Sequence, residues 1–87
     1  MQILIHESAE KVLNNLDTKI QKNIKDHLSK LSENLYSNQL DIKKLKGLKD
    51  KQDLFRLRVG EYRIIYFIQD NIIYITEIMI RGRGYDI

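Results

Sequence analysis

Cysteine is absent from the sequence, so neither a disulfide framework nor a thiolate metal site can form, and nothing in the chain needs an oxidising compartment. No apolar run approaches the ~20 residues of a membrane-spanning helix, and the opening MQILIHESAEK lacks the basic and apolar regions of a secretory signal. A cytoplasmic protein without membrane contact is expected. The two histidines, His6 and His27, lie in the N-terminal half, where they read as ordinary surface or boundary residues. Metal-ligand clusters, a nucleophilic triad, a phosphate loop and a dinucleotide fingerprint are all missing, so no metal and no small-molecule cofactor is expected. The total of 87 residues allows one domain, 1–87, of a size that hides only about 60% of the unfolded chain's surface.

What is present is cationic and unevenly placed. Net charge is +3, but residues 1–42 carry five lysines against six acids, while residues 43–83 carry five lysines and five arginines against five acids. All five arginines fall between positions 56 and 83. Concentration of positive charge in one part of a chain is the footprint expected of an anionic partner, nucleic acid above all.

Ile3 to Ile5 read as a short first strand, followed by Ser8 as a helix cap and by Ala9, Val12, Leu13 and Leu16 at helical spacing. Thr18-Lys19-Ile20-Gln21 matches a capping box. The second helix that it opens carries Ile20, Ile24, Leu28, Leu31 and Leu35 on one stripe and ends near Tyr36 to Asn38. The short link between the helices predicts an antiparallel hairpin. Residues 41–53, DIKKLKGLKDKQD, read as a cationic loop anchored by Ile42, Leu45 and Leu48, with Asp50 and Asp53 as turn residues. Turns at Gly60-Glu61 and Asp70-Asn71 then divide a meander of strands at 54–59, 62–69 and 72–80. The fold class is α+β: β-α-α-β-β-β, with an antiparallel four-stranded sheet and a two-helix hairpin packed on one face.

In the hairpin LFRLRVGEYRIIYF, a turn at Gly60-Glu61 sets Val59 against Tyr62, Arg58 against Arg63, Leu57 against Ile64 and Arg56 against Ile65. Parity places Phe55, Leu57, Val59, Tyr62, Ile64 and Tyr66 toward the helices and Arg56, Arg58 and Arg63 on the other face. Opposed arginines repel by a few tenths to about 1 kcal/mol. An anion offsets that repulsion, since guanidinium forks bind phosphate bidentately; the alternatives are that the arginine stems cover Ile65 and Phe67 with their heads in water, or that Glu61 and Asp53 pair with them. Parity also turns Ile73, Ile75, Met79 and Glu77 toward the helices, unless a one-residue slip sends Glu77 toward the arginines. The terminal MIRGRGYDI adds Arg81, Arg83 and Tyr85.

These elements, with KLKGLKD (44–50), the arginine hairpin and IRGRGYD, resemble the RelE/ParE superfamily of toxin–antitoxin toxins, most closely the archaeal RelE branch. The resemblance covers nearly the whole chain. It implies a RelE-like microbial RNase fold and a metal-independent endoribonuclease that cuts mRNA in the ribosomal A site and stops translation. It also implies a cognate RelB-like antitoxin that wraps the toxin with amphipathic helices. Arg63 matches the family's hairpin arginine, Arg56 stands where a bacterial relative has lysine, and Arg81 and Tyr85 match the C-terminal basic residue and tyrosine. Those four are the catalytic candidates implied, with Lys43, Lys44, Lys46, Arg58 and Arg83 on neighbouring RNA. Leu54 departs from the bacterial pattern, which has lysine there, and Tyr85 follows the terminal arginines more closely than the bacterial tyrosine does.

Arginine neutralises a phosphorane well but moves protons poorly. Tyr85, Lys43, Lys44 and Lys46 are the candidate proton-transfer groups, and ribosomal positioning of the substrate would supply much of the rate. Two other functions fit the same residues: a ParE-like protein that inhibits DNA gyrase, and a non-catalytic RNA-binding module.

Overall fold

Alternating and helical apolar spacings resolve into seven elements in the computed structural model, which describes residues 1–45 and 53–80. They are β1 (Gln2–Ile5), α1 (Glu7–Asn14), α2 (Thr18–Glu33), β2 (Asp41–Leu45), β3 (Leu54–Val59), β4 (Tyr62–Gln69) and β5 (Ile72–Ile80). The meander appears at the strand bounds that its turn residues predict. Gly60 has φ +60 while Glu61 keeps a negative φ, and Asp70 and Asn71 both take positive φ, at 53 and 64. Those left-handed turn residues match the right-handed twist of the strands they join.

Among the described residues the sheet has five strands rather than four, in the order β1-β5-β4-β3-β2. The added strand is β2, from the first part of the segment expected to be a loop. Its lysines suit a sheet edge, where half the backbone is solvated and charge discourages further pairing, so alternation of Ile42 and Leu45 with charged neighbours is a strand pattern after all. The sheet is also mixed, since β1 pairs with β5 in parallel while the other pairs are antiparallel.

Helix starts differ from the motif reading. His6, not Ser8, caps α1: its Nδ1 accepts from the Ser8 N–H at 3.1 Å and lies 2.9 Å from Ser8 Oγ. At α2 the capping box does not close. Asp17 occupies the cap position, and Gln21 Nε2 donates instead to Leu16 O at 2.8 Å and Asn14 O at 3.2 Å, tying the interhelix link to the first turn. The helix stops at Glu33, short of the expected end.

Ala9 and Leu13 of α1 and Ile24, Leu28 and Leu31 of α2 cover one face of the sheet, packing with Leu57, Val59, Ile64, Tyr66, Ile73, Ile75 and Ile78. Each of the Leu, Ile and Val side chains among them contributes about 1.5–3 kcal/mol when fully buried. Ile78 takes the core position expected for Met79. The cause is a β-bulge: Ile65 pairs with Glu77 but Tyr66 pairs with Ile75, leaving Thr76 as the extra residue, its Oγ1 donating to Ile65 O at 3.3 Å. Past the bulge the parity of β5 reverses, so Met79 and Glu77 leave the helix side. Among the described residues no helix is long and apolar enough to cross a membrane.

Candidate functional site

On the face turned away from the helices, strand register aligns side chains in rows. One row runs Asp41, Arg58, Arg63, Met79 from β2 to β5, and the next runs Lys43, Arg56, Ile65, Glu77. A further row at the other end of the sheet holds Phe67, Tyr74 and Leu4. Rows are two residues apart along β4, or about 6–7 Å. The bulge completes the second row, because the slip it introduces delivers Glu77 to the arginine face.

Four cations thus meet two carboxylates on a small area, and they are not equivalent. Asp41 Oδ1 accepts from Arg56 Nη2 at 2.9 Å, and its Oδ2 lies 3.8 Å from Arg58 Nη1. Arg56 is 8% exposed, a depth at which arginine is rarely found unless paired. Arg58 is exposed, and Arg63 is half-buried with no ion-pair partner among the described residues. The Nε atoms of both Arg56 and Arg63 are buried without an acceptor among those residues. A desolvated donor left unpaired costs roughly 1–3 kcal/mol, so the Arg63 guanidinium is held where an incoming oxyanion would improve its energy.

Arg56, Arg58 and Arg63 therefore share one face, as the hairpin parity predicts, and Lys43, expected in a loop, joins them from β2. Lys44 does not join them. It pairs in register with Phe55, which packs against the helix-side core, and its Nζ lies 3.4 Å from Asp53 Oδ2 in an exposed surface contact. Lys46, Arg81, Arg83 and Tyr85 lie outside the described residues. Among the described residues the carboxylate that pairs with Arg56 and Arg58 is Asp41, not Glu61 or Asp53; finding it requires β2 as a strand, which the lysine-rich composition conceals.

Other titratable groups are positioned away from the arginine rows. Burial pushes the Tyr66 phenol from 10.0 up to about 12, and its ring stacks on Phe55 on the helix side at a centroid separation of 5.4 Å. His6 is committed to its cap, and His27 Nδ1 lies 2.8 Å from Asn23 O on its own helix. The row beyond the arginines is apolar: Phe67 stacks on Tyr74 at 4.9 Å, beside a cavity of about 250 Å³ that Leu4 and His6 also line.

A family model described as the ParE toxin of the type II toxin–antitoxin system parDE matches residues 3–85. Among solved structures, the chain is similar to the archaeal RelE–RelB complex from Pyrococcus horikoshii OT3, at 31% identity and TM-score 0.78, covering 95% of this chain and 97% of that one. It is also similar to the RelB–RelE antitoxin–toxin complex of Methanococcus jannaschii, at 28% identity and TM-score 0.70 over 88% of each chain. The isolated E. coli RelE toxin shares the fold at 21% identity and TM-score 0.69, over 95% of this chain and 86% of that one. No curated protein matches the sequence.

Proposed function

The chain belongs to the ParE/RelE family of type II toxin–antitoxin toxins, and from the chemistry of its open sheet face we propose that it is an endoribonuclease that cuts mRNA in the ribosomal A site. The observation that carries this reading is Arg63: a guanidinium unpaired by any described carboxylate, its Nε desolvated without an acceptor, flanked by Arg58 and Arg56. Such a group favours a phosphate that gains charge during reaction.

RNA is cut without a metal when the 2′-oxygen attacks the adjacent phosphorus and the 5′-oxygen leaves, giving a 2′,3′-cyclic phosphate. In this reading Arg63 binds the scissile phosphate, and Arg56, oriented by Asp41, adds a second positive charge. Lys43 and Arg58 hold neighbouring phosphates, and Lys44, on the other side of β2 beside Asp53, is not part of the set. Arg81, Arg83, Lys46 and Tyr85 complete the proposed set by family likeness. The ribosome presents the mRNA in a fixed conformation, which converts much of the barrier into binding. Two of the similar archaeal structures are complexes with RelB, which supports a RelB-like antitoxin that covers the basic face.

The test is a translation extract programmed with a defined mRNA. Wild-type protein should give codon-linked cuts, and Arg63→Ala should fold normally yet cleave about 10²–10³-fold more slowly, the usual effect of removing a donor to a developing oxyanion. Undiminished cleavage by that variant would remove the assignment. The parDE description of the family model favours a second reading, a gyrase inhibitor; inhibition of supercoiling with intact mRNA would establish that one instead.

A further inference from the structure

Phosphate is one half of a nucleotide. The flat face of the base is the other half, and guanidinium groups that bind phosphate leave it in water. Proteins that hold single-stranded RNA meet this second requirement with aromatic rings beside a cationic track. The open sheet face carries such rings. Phe67 on β4 and Tyr74 on β5 stand opposite each other in register, on two strands interior to the sheet. Both are half-buried, and their rings stack at a centroid separation of 4.9 Å and an interplanar angle of 17°. Leu4, next in the row, is 42% exposed.

Position along β4 joins these rings to the cations. Phe67 follows Arg63 by four residues at the same parity, so the two stand about 13 Å apart along one face of the strand. The row between them holds Arg56 and Lys43. A cavity of about 250 Å³ borders both rings and is closed elsewhere by the apolar Leu4, Ile5 and Ile75. Its two polar neighbours are engaged already: Thr76 Oγ1 donates to Ile65 O, and His6 Nδ1 accepts from the Ser8 N–H. The cavity thus offers ring faces and aliphatic walls, a setting that holds a base by stacking and not by its hydrogen-bonding edge.

We propose that Phe67 and Tyr74 form a nucleobase platform, against which one base of a single-stranded RNA packs while phosphates of the same strand lie along the arginine rows. The inference rests on the RNA-binding reading of the open face given above. Leucine or isoleucine would suffice to dock an apolar protein helix. Paired rings on interior strands, one row from Arg56 and Lys43, match instead the two chemistries that a nucleotide carries. Every base has a π-face, so the platform holds RNA with little discrimination among bases.

The experiment measures affinity for two short oligomers over a salt series. One is a 2′-O-methyl RNA of mixed sequence, which lacks the cleavable hydroxyl; the other is an abasic tetrahydrofuran–phosphate chain of equal length. Tyr74→Leu keeps the row apolar but removes the ring. It should fold as the wild type does and weaken binding of the base-bearing oligomer by about 5–150-fold, the range of base–aromatic stacking. The slope of log affinity against log salt should stay unchanged, since a ring releases no counterion. Tyr74→Phe should bind like wild type, and neither variant should alter binding of the abasic chain. A loss in Tyr74→Leu that is equal for the two oligomers would overturn the platform while the RNA reading of the arginine rows stands. Unchanged RNA affinity in that variant would also overturn it, and would leave an apolar protein contact as the role of the row. If Tyr74→Leu does not fold, Phe67→Leu undergoes the same comparison with the same expected loss. Failure of wild-type protein to bind the RNA oligomer at low salt would overturn the platform together with the reading of this face as an RNA surface.

Discussion

Asp41 stands opposite Arg58 in the ladder yet bonds most closely to Arg56, so its carboxylate reaches diagonally and distinguishes three guanidinium groups that the sequence presents as equals. Arg56 is thereby compensated and can be buried, while Arg63 has no ion-pair partner among the described residues. Removing the carboxylate leaves a charged donor at 8% exposure with a weaker partner. For fully buried pairs that loss is several kcal/mol, but Asp41 is 54% exposed and water screens the interaction. Asp41→Asn should therefore lower stability by about 1 kcal/mol in urea unfolding, most of which should disappear when Arg56 is also replaced by methionine. An equal loss in the Arg56→Met background would show that Asp41 acts independently of that pair.

At the scale of elements, local chemistry and sheet register were not equally legible. The meander could be read because its turns carry residues that tolerate left-handed backbone. Asn71, at φ 64, illustrates the constraint. Asn71→Ala should destabilise by about 1 kcal/mol, because Asn tolerates that conformation through local hydrogen bonding of its short polar side chain, which Ala lacks, whereas Asn71→Gly, with no Cβ to crowd, should not; thermal unfolding of the two variants checks this. Arg56, Arg58 and Arg63 could be placed on one face for the same reason, since the turn at Gly60 fixes the register by counting. Two features resisted counting. An edge strand rich in lysine resembles a solvated loop until its partner is known, which hid β2 and, with it, both Asp41 and the misplacement of Lys44. The bulge at Thr76 has no composition of its own, so only the turning of a charged Glu77 toward the helices hinted at a slip. Capping motifs misled because they are short: Ser8 and Gln21 make hydrogen bonds at the helix starts, but with partners other than those the motifs prescribe.

Across the whole molecule, the separation of a helix-covered face from an arginine-bearing one turns an ordinary net charge of +3 into a directional field. Adjacent residues of one edge strand sample both sides of that division. Lys43 lies in the row with Arg56, whereas Lys44 pairs with Phe55 on the helix side and has Asp53 beside it. Because cations that contact single-stranded RNA release counterions, each removed contact should lower the magnitude of the log–log salt dependence by about 0.7. Measured on a short single-stranded RNA, Lys43→Ala should show that decrease and Arg63→Ala a similar one. Lys44→Ala should leave the slope where it is, although its distance from Lys43 along the chain is a single residue. Equal slopes for the Lys43 and Lys44 variants would mean that binding responds to the overall charge of the β2 region and not to which face a cation occupies.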